Sequence, residues 1–321
     1  MQSYLQTVED VYEQAAISPD ATLCCTDSPV WRLPDLVIPP IMLQMNYGCG
    51  STVTPRDIKG DDTILYVGVG GGLEALQFAY FSRRPGGVIA VDSVAAMRDK
   101  AAANFIEAAR LNPWFHPGFV QILDGNALKL PVPANSVSVA AQNCLFNVFQ
   151  ADDLTQALSE IFRVLKPGGF FATSDPITPA ALPETFRRDE IARARCLSGC
   201  LTFNEYIETL TSIGFGRVEV RSRTPYRYVT PTEYPGLDRA VLLESVEVLA
   251  YKVPDSADGP AVFTGRSAIY AGSNETLTDE MGNVLRRGIP VAVSDAAAMR
   301  LGERRDVIVT PSTYHAKGGC C

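Results

Sequence analysis

The sequence contains little histidine, only two residues in 321. His116 lies in a proline-rich turn and His315 lies near the end of the chain, so both are expected at the surface. The sequence therefore offers no obvious general base for a reaction that must remove a proton from its substrate.

A block of basic residues is also absent. The chain has 28 lysines and arginines against 36 aspartates and glutamates, a formal net charge of −8, which argues against a nucleic-acid or anionic-membrane partner. No apolar run approaches the ~20 residues that span a bilayer, and the polar start MQSYLQTVED does not resemble a secretory signal. We expect a cytoplasmic protein with a small-molecule substrate.

The sequence has no pair of Cys-x-x-Cys elements, which disfavours a structural zinc site. It nevertheless contains eight cysteines: Cys24, Cys25, Cys49, Cys144, Cys196, Cys200, Cys320 and Cys321. In a cytoplasmic protein such thiols are usually buried, catalytic or metal-binding rather than permanently crosslinked. Some are expected to be small buried hydrophobic residues, but packing does not call for the two adjacent pairs.

Strands and helices alternate after an irregular, proline-rich segment at residues 1–60. Because the segments between the apolar runs have helical spacing, the pattern predicts an α/β fold with a doubly wound parallel sheet. Residues 184–215 are predicted to be helical, and residues 216–321 to form short strands in a smaller β-rich region. We place the boundaries at 1–60, 61–180 and 181–321. The predicted strands are TILYV (63–67), VIAVD (88–92), FVQIL (119–123), VSVAAQ (137–142) and FFATSD (170–175).

A ligand site is predicted where these strands end. Glycines after the first strand let the backbone approach a ligand. An acidic residue at the end of the second strand can accept hydrogen bonds from ribose hydroxyls, and one after the third strand can approach an adenine edge. Ser93 is also a plausible N-cap for the following helix. A glycine-rich turn alone fits NAD enzymes as well, whereas the whole set predicts one ligand outside the carboxyl ends of the strands. The candidates are Gly68, Gly70, Gly72, Asp92, Ser93, Asp124, Gly125 and Asn126.

Together with residues 163–169 (RVLKPGG), this ordered set resembles the class I S-adenosylmethionine-dependent methyltransferases. The resemblance implies a Rossmann-like domain over residues 61–180 and S-adenosylmethionine as cofactor. One position departs from the family pattern. The acidic residue that these enzymes usually carry two positions before the first glycine is Tyr66 here, which leaves open how the amino group of the cofactor is held.

Four cysteine segments extend the resemblance to arsenite methyltransferases. Residues 46–51 (NYGCGS), 142–147 (QNCLFN) and 196–199 (CLSG) look like Tyr-Gly-Cys-Gly, Asn-Cys-x-x-Asn and Cys-x-x-Gly segments of that family. Residues 23–26 (LCCT) match the N-terminal Cys-Cys of members linked to arsenosugar formation, and the tail GGCC also recurs. The resemblance is closest to the cyanobacterial type. It implies methylation of arsenite to methylarsenicals, in arsenic detoxification.

The resemblance also implies roles for individual cysteines. Cys196 would bind As(III), and Cys49 with Cys24 or Cys25 would form redox-active thiols that load the substrate. The As(III) ligands implied in this way are Cys49, Cys196 and Cys144. For Cys144 the alternative is a buried residue beside the cofactor.

The same resemblance implies roles for two further residues. Asn143, next to Cys144, is assigned to cofactor binding. Animal members carry an additional cysteine in the strand that corresponds to about residues 241–252, which has none here. Cys200, four residues after Cys196, is the candidate for this missing ligand if the turn between them is helical. The alternative is that Cys200 only packs in the protein interior.

The implied partners are arsenite, methylarsenite and a thiol reductant such as thioredoxin or glutathione, with the protein acting as a monomer. A soft acceptor that has its own lone pair needs no general base, which agrees with the scarcity of histidine. Two alternatives remain open. One is a methyltransferase for a small organic, quinone-like acceptor; the other is a non-catalytic thiol-based metalloid sensor, which Tyr66 favours.

Overall fold

A computed structural model describes residues 3–20, 22–23, 31–257 and 259–313. The predictions for Cys24, Cys25, His315, Cys320 and Cys321 lie outside these residues.

The centre of the structure is one twisted sheet. Its strand order is β3-β2-β1-β4-β5-β8-β7-β9, with the short β6 paired to β5. The first five strands are parallel, and β8 is antiparallel to both β5 and β7. This order confirms the predicted doubly wound α/β sheet. The strands are β1 Ile64–Val67, β2 Val88–Asp92, β3 Val120–Asp124, β4 Val137–Asn143, β5 Leu165–Thr178, β6 Leu201–Thr202, β7 Arg217–Val229, β8 Val241–Tyr251 and β9 Ala261–Phe263.

The helices pack on this sheet through apolar faces. The helix over Ala151–Val164 buries Leu154, Leu158 and Ile161 and ends directly before the KPGG segment. The helix over Phe203–Ile213 begins with a capping box between Thr202 and Glu205. The helices are α1 Tyr4–Ile17, α2 Pro40–Gln44, α3 Leu73–Ser82, α4 Ala95–Leu111, α5 Ala151–Val164, α6 Glu184–Arg187, α7 Glu190–Ala194, α8 Phe203–Ile213 and α9 Asp295–Gly302, with 3₁₀ turns at Pro117–Phe119 and Phe146–Val148.

The C-terminal strands divide between two places. Strands β7, β8 and β9 extend the central sheet, so the sheet continues beyond residue 180. The remaining strands and α9 surround a second small core that includes Ala268, Tyr270, Leu285 and Leu301. These strands are β10 Ser267–Tyr270, β11 Thr276–Thr278, β12 Val284–Arg286, β13 Val291–Ala292 and β14 Val307–Val309.

Helix α1 packs against α4 and α7, above the strand ends. The Tyr4 hydroxyl donates to Asp153 of α5, and the Thr7 hydroxyl donates to Glu190 of α7 at 3.0 Å. These contacts join the N-terminal segment to the central domain. Among the residues that the structure describes, no helix is long and apolar enough to cross a membrane.

A buried polar network joins β4, β5 and α8. The Asp175 side chain is fully buried, and its Oδ2 accepts hydrogen bonds from Gln142, from the Thr173 hydroxyl at 2.7 Å and from the Tyr206 hydroxyl at 2.7 Å. Burial raises the pKa of Asp175 to about 6, although these three hydrogen bonds lower it. Asp175 therefore holds a proton at a pH where an exposed aspartate has lost it.

The raised pKa of Asp175 predicts that stability falls as the pH rises from about 4 to about 6. In this window the folded protein keeps a proton that the unfolded chain, with its ordinary pKa of 3.8, releases, so raising the pH favours unfolding. Relative to Asp175→Asn, which cannot titrate, the wild-type free energy of unfolding should fall by roughly 2 kcal/mol across the window. Urea unfolding at several pH values measures this, and a difference between the two proteins that does not vary with pH would contradict it.

Candidate active site

A cavity with an empty volume of about 1080 Å³ lies at the carboxyl ends of the parallel strands. Leu5, Val8 and Tyr12 of α1 contribute a largely apolar roof. Because the carboxyl ends of parallel strands share one edge of the sheet, the turns that follow them meet here. The turns that line the cavity are residues 68–71 after β1, 92–94 after β2, 125–127 after β3 and 143–145 after β4.

The glycine turn after β1 has a conformation that only glycine adopts readily. Gly68 and Gly70 line the cavity with φ of 81° and 49°, and a Cβ at Gly70 would meet no atom within 4 Å. Gly70 therefore presents bare backbone to the cavity. The structure places Gly72 differently: it is the N-cap of α3, is not among the lining residues, and a Cβ there would meet the Phe105 ring at 2.9 Å.

Asp92 faces the cavity at the end of β2. Its carboxylate accepts hydrogen bonds from the Val94 amide at 2.9 Å and the Gly70 amide at 3.4 Å, and burial raises its pKa. Ser93 also lines the cavity, but the prediction that it caps the next helix was wrong. The N-cap of α4 is Val94, whose apolar side chain cannot accept a hydrogen bond.

The residues predicted for the ligand site at the end of β3 do not all face the cavity. Gly125 and Asn126 line the cavity, whereas Asp124 does not. The Asp124 side chain is 76% exposed and forms an ion pair with Arg98 at 2.8 Å, which draws it away from the expected adenine edge. Asp92 and Asp124 are register partners on neighbouring strands, so this difference could not be read from the strand pattern.

Glu74 is a buried acidic residue of the cavity that the sequence reasoning missed. It lies in the first turn of α3 and is 5% exposed. Its carboxylate accepts hydrogen bonds from the Thr52 amide at 2.9 Å, the Thr52 hydroxyl at 2.7 Å and the Tyr66 hydroxyl at 3.0 Å. The available signal was an acid two positions after the glycine turn, in a chain that has tyrosine where an acid is usual.

All four cysteines that the structure describes are buried. Cys144 lines the cavity directly after β4. The Cys196 thiol donates to the Cys144 carbonyl oxygen at 2.6 Å, and the Cys200 thiol donates to the Cys196 carbonyl oxygen at 3.3 Å. Cys144 and Cys196 are thus adjacent at one side of the cavity.

Both of these cysteines have left-handed backbone. Cys144 has a φ of 60° and Cys196 a φ of 57°, and only three other non-glycine residues in the described ranges have positive φ. Their amides are bound to the carbonyl oxygens of Ser174 and Arg193 at 2.7 and 2.8 Å, which holds the unusual conformation. Left-handed non-glycine residues cost free energy and concentrate at functional sites.

Cys49 contacts Asn143, the residue that precedes Cys144 in the chain. The Cys49 amide donates to Asn143 Oδ1 at 3.0 Å, and the Cys49 sulfur is 3.4 Å from Ser174 Oγ and 3.7 Å from Ser245 Oγ. Asn143 itself lines the cavity, and its Nδ2 donates to the Gly50 carbonyl at 2.9 Å. Asn143 therefore connects the Cys49 segment to the cavity.

The predicted ligand trio is not gathered into one group. Within the described residues, no three or more histidine, cysteine, aspartate or glutamate side chains are placed to hold a metal together. Cys49 points to two serine hydroxyls, whereas Cys196 points to the Cys144 carbonyl. His116 is also remote from the cavity lining and caps a 3₁₀ turn with its ring nitrogen.

Residues 65–173 match the family model described as a methyltransferase domain. The part of the chain from Leu65 to Thr173 is thus similar to S-adenosylmethionine-dependent methyltransferases. S-adenosylmethionine is the cofactor of these proteins, and the cavity fits it. A bare glycine turn, the Asp92 carboxylate, the buried Glu74 carboxylate, and the apolar Met97 and Leu145 suit a ligand that combines hydroxyl groups, an amino acid and an aromatic base.

Curated relatives of this chain include proteins named arsenite methyltransferase. The one from Halobacterium salinarum is 29% identical over 176 residues, which cover 55% of this chain and 43% of the relative. The one from Aquipseudomonas alcaligenes is 31% identical over 199 residues, which cover 60% of this chain and 55% of the relative. This chain therefore spans about half the length of these two curated relatives.

A solved structure shares the fold over most of the chain. It is an arsenic(III) S-adenosylmethionine methyltransferase from Chlamydomonas reinhardtii, with a TM-score of 0.65 and 23% identity, and the match covers 88% of this chain and 96% of that one. The fold match thus covers more of the chain than the methyltransferase domain alone.

Proposed function

We propose that this methyltransferase methylates trivalent arsenic held by cysteine thiolates, in arsenic detoxification. The observation that carries the proposal is the adjacency of Cys144 and Cys196 at the cavity: one lines it, and the thiol of the other lies 2.6 Å from the first residue's carbonyl oxygen. Thiolates are soft ligands that select thiophilic centres such as As(III). The relatives named arsenite methyltransferase support the same substrate.

The chain's own residues would bind, orient and desolvate the substrate. S-adenosylmethionine, when bound, supplies an electrophilic methyl group on a sulfonium sulfur. Cys196 is the principal As(III) ligand in this proposal, with Cys144 beside it as the second, whereas Cys49, which points to Ser174 and Ser245, serves the redox step. The strained backbone of Cys144 and Cys196 fixes the thiols in position before the substrate arrives, and the apolar roof of α1 reduces access of water.

No general base is required for this acceptor. As(III) carries its own lone pair, so the reaction removes no proton from the substrate. The polar groups at the cavity are then free to serve the cofactor: Asp92 accepts hydrogen bonds from its ribose hydroxyls, and Asn143, which also holds the Cys49 segment, lies beside it.

A thiol–disulfide step would restore the oxidation state of the product. Transfer of a methyl group to the arsenic lone pair oxidises arsenic from trivalent to pentavalent. Cys49 with Cys24 or Cys25 would supply two electrons, forming one disulfide and returning arsenic to the trivalent state. An external thiol such as thioredoxin or glutathione would then reduce that disulfide.

The decisive experiment incubates the purified protein with S-adenosylmethionine, arsenite and a thiol, and follows arsenic speciation by chromatography and mass spectrometry. We expect methylarsenicals that require both the cofactor and the thiol. Matched incubations without cofactor and without thiol are the controls.

The other outcomes separate the alternatives. Unmethylated arsenite despite binding of S-adenosylhomocysteine would remove the arsenic proposal and direct the search to small organic, quinone-like acceptors. Absence of cofactor binding would favour a non-catalytic metalloid sensor.

A further inference from the structure

We propose that the Glu74 carboxylate binds the ammonium group of the cofactor's amino-acid part. Related enzymes usually place an acid two positions before the first glycine, where this chain has Tyr66. Tyr66 occupies the usual position of the acid, and its hydroxyl donates a hydrogen bond to Glu74, eight residues later. The Glu74 carboxylate supplies the negative charge. The inference rests on the cofactor and is independent of the identity of the methyl acceptor.

The position of Glu74 supports this assignment. It lines the same cavity as Gly68 and Asp92, at the start of the helix that follows the glycine turn. The Tyr66 hydroxyl donates to Glu74 Oε2 at 3.0 Å, which connects the usual acid position to the new one. The Thr52 amide and hydroxyl donate to Oε1 and Oε2 respectively, so the carboxylate is fixed from the side of the N-terminal segment.

The charge of Glu74 supports it independently. The groups that stabilise the carboxylate, Thr52, Tyr66 and Asn143, are all neutral, and burial raises the pKa of Glu74 above its ordinary value. A buried carboxylate with neutral donors alone is costly, because each donor offsets only part of the lost hydration. A ligand ammonium group in the cavity would supply the opposite charge and form a charge-assisted hydrogen bond.

A purely structural role makes a different prediction. Glu74 also ties residue 52 to α3, and loss of that tie alone would disturb the whole cavity and weaken every ligand equally. A role toward the ammonium group weakens only ligands that carry one.

Two probes separate these roles by calorimetric titration. S-adenosylhomocysteine carries the amino-acid part, and 5′-methylthioadenosine has the same nucleoside without it. For Glu74→Gln, which keeps the shape of the side chain, we expect about tenfold to hundredfold weaker binding of S-adenosylhomocysteine and binding of 5′-methylthioadenosine within about twofold of wild type. Retained 5′-methylthioadenosine binding also shows that the variant is folded.

Tyr66→Phe provides a second, milder variant. It removes only the hydroxyl that orients Glu74, so S-adenosylhomocysteine should bind about threefold to tenfold more weakly while 5′-methylthioadenosine is unaffected. If Glu74→Gln does not fold, this variant decides the question by the same comparison.

Equal losses for both probes, or unchanged S-adenosylhomocysteine binding, would overturn the inference. Because the titrations contain no arsenic, that failure would leave the acceptor proposal standing.

Discussion

Replacing Cys196 by serine should abolish arsenic methylation while leaving S-adenosylhomocysteine affinity within about twofold of wild type. A serine hydroxyl is a hard, protonated ligand that does not replace a thiolate on As(III), so we expect the rate to fall by at least about a hundredfold. Cofactor binding should survive because Cys196 is not among the residues that line the cavity. Arsenic speciation and calorimetry on the same preparation measure the two quantities.

Cys200→Ser is the matched control. Both cysteines are fully buried, and they are four residues apart. The Cys200 thiol donates to the Cys196 carbonyl oxygen and accepts from Asn147 Nδ2 at 3.5 Å, and a hydroxyl can do both. If Cys200 only packs, this variant keeps most of its activity; a loss as complete as in Cys196→Ser would make Cys200 the third arsenic ligand. Full activity in Cys196→Ser would remove the ligand assignment itself.

Asp92→Asn should weaken S-adenosylhomocysteine binding by about tenfold to hundredfold. The carboxylate already accepts the Val94 and Gly70 amides, and its remaining lone pairs face the cavity, where ribose hydroxyls need acceptors. An amide removes the charge and turns one acceptor into a donor, so the interaction with the hydroxyls is lost even though the side chain keeps its shape.

Asp124→Asn tests the same substitution on the neighbouring strand. Its carboxylate is largely exposed and bound to Arg98, outside the cavity, so we expect less than about a threefold change in affinity. Similar losses in both variants would show that Asp124 turns toward the ligand on binding. They would contradict the assignment of Asp92 to the cavity and of Asp124 to the exposed surface.

The sequence predicted the edge of the sheet on which the cavity lies more reliably than it predicted individual side chains. Gly68, Asp92, Gly125 and Asn143 all line the cavity, because each ends or directly follows a parallel strand and backbone direction alone brings such residues together. Asp124 also ends a strand, but its carboxylate is bound by Arg98 of α4, a tertiary contact that the strand pattern does not show.

Contacts between distant segments account for the remaining differences. Glu74 was missed because its main partner, Thr52, comes from a segment whose path the sequence pattern does not define. Cys49 and Cys196 were expected on one arsenic atom, yet local hydrogen bonds with Ser174 and with the Cys144 carbonyl direct the two thiols to different neighbours. Motif spacing shows that a residue is near a site, and only the packed chain shows which way it points.

The roof helix α1 has a thermodynamic consequence for every ligand of this cavity. Its inner face is divided: Ala15 and Ala16 are buried in the protein, whereas Leu5, Val8 and Tyr12 border the cavity. A ligand therefore becomes part of the surface on which the helix docks, and helix docking and ligand binding form one linked equilibrium. Substitutions on the outer face of α1, which touch no ligand, would then change apparent affinity by shifting the fraction of molecules in which the helix is docked.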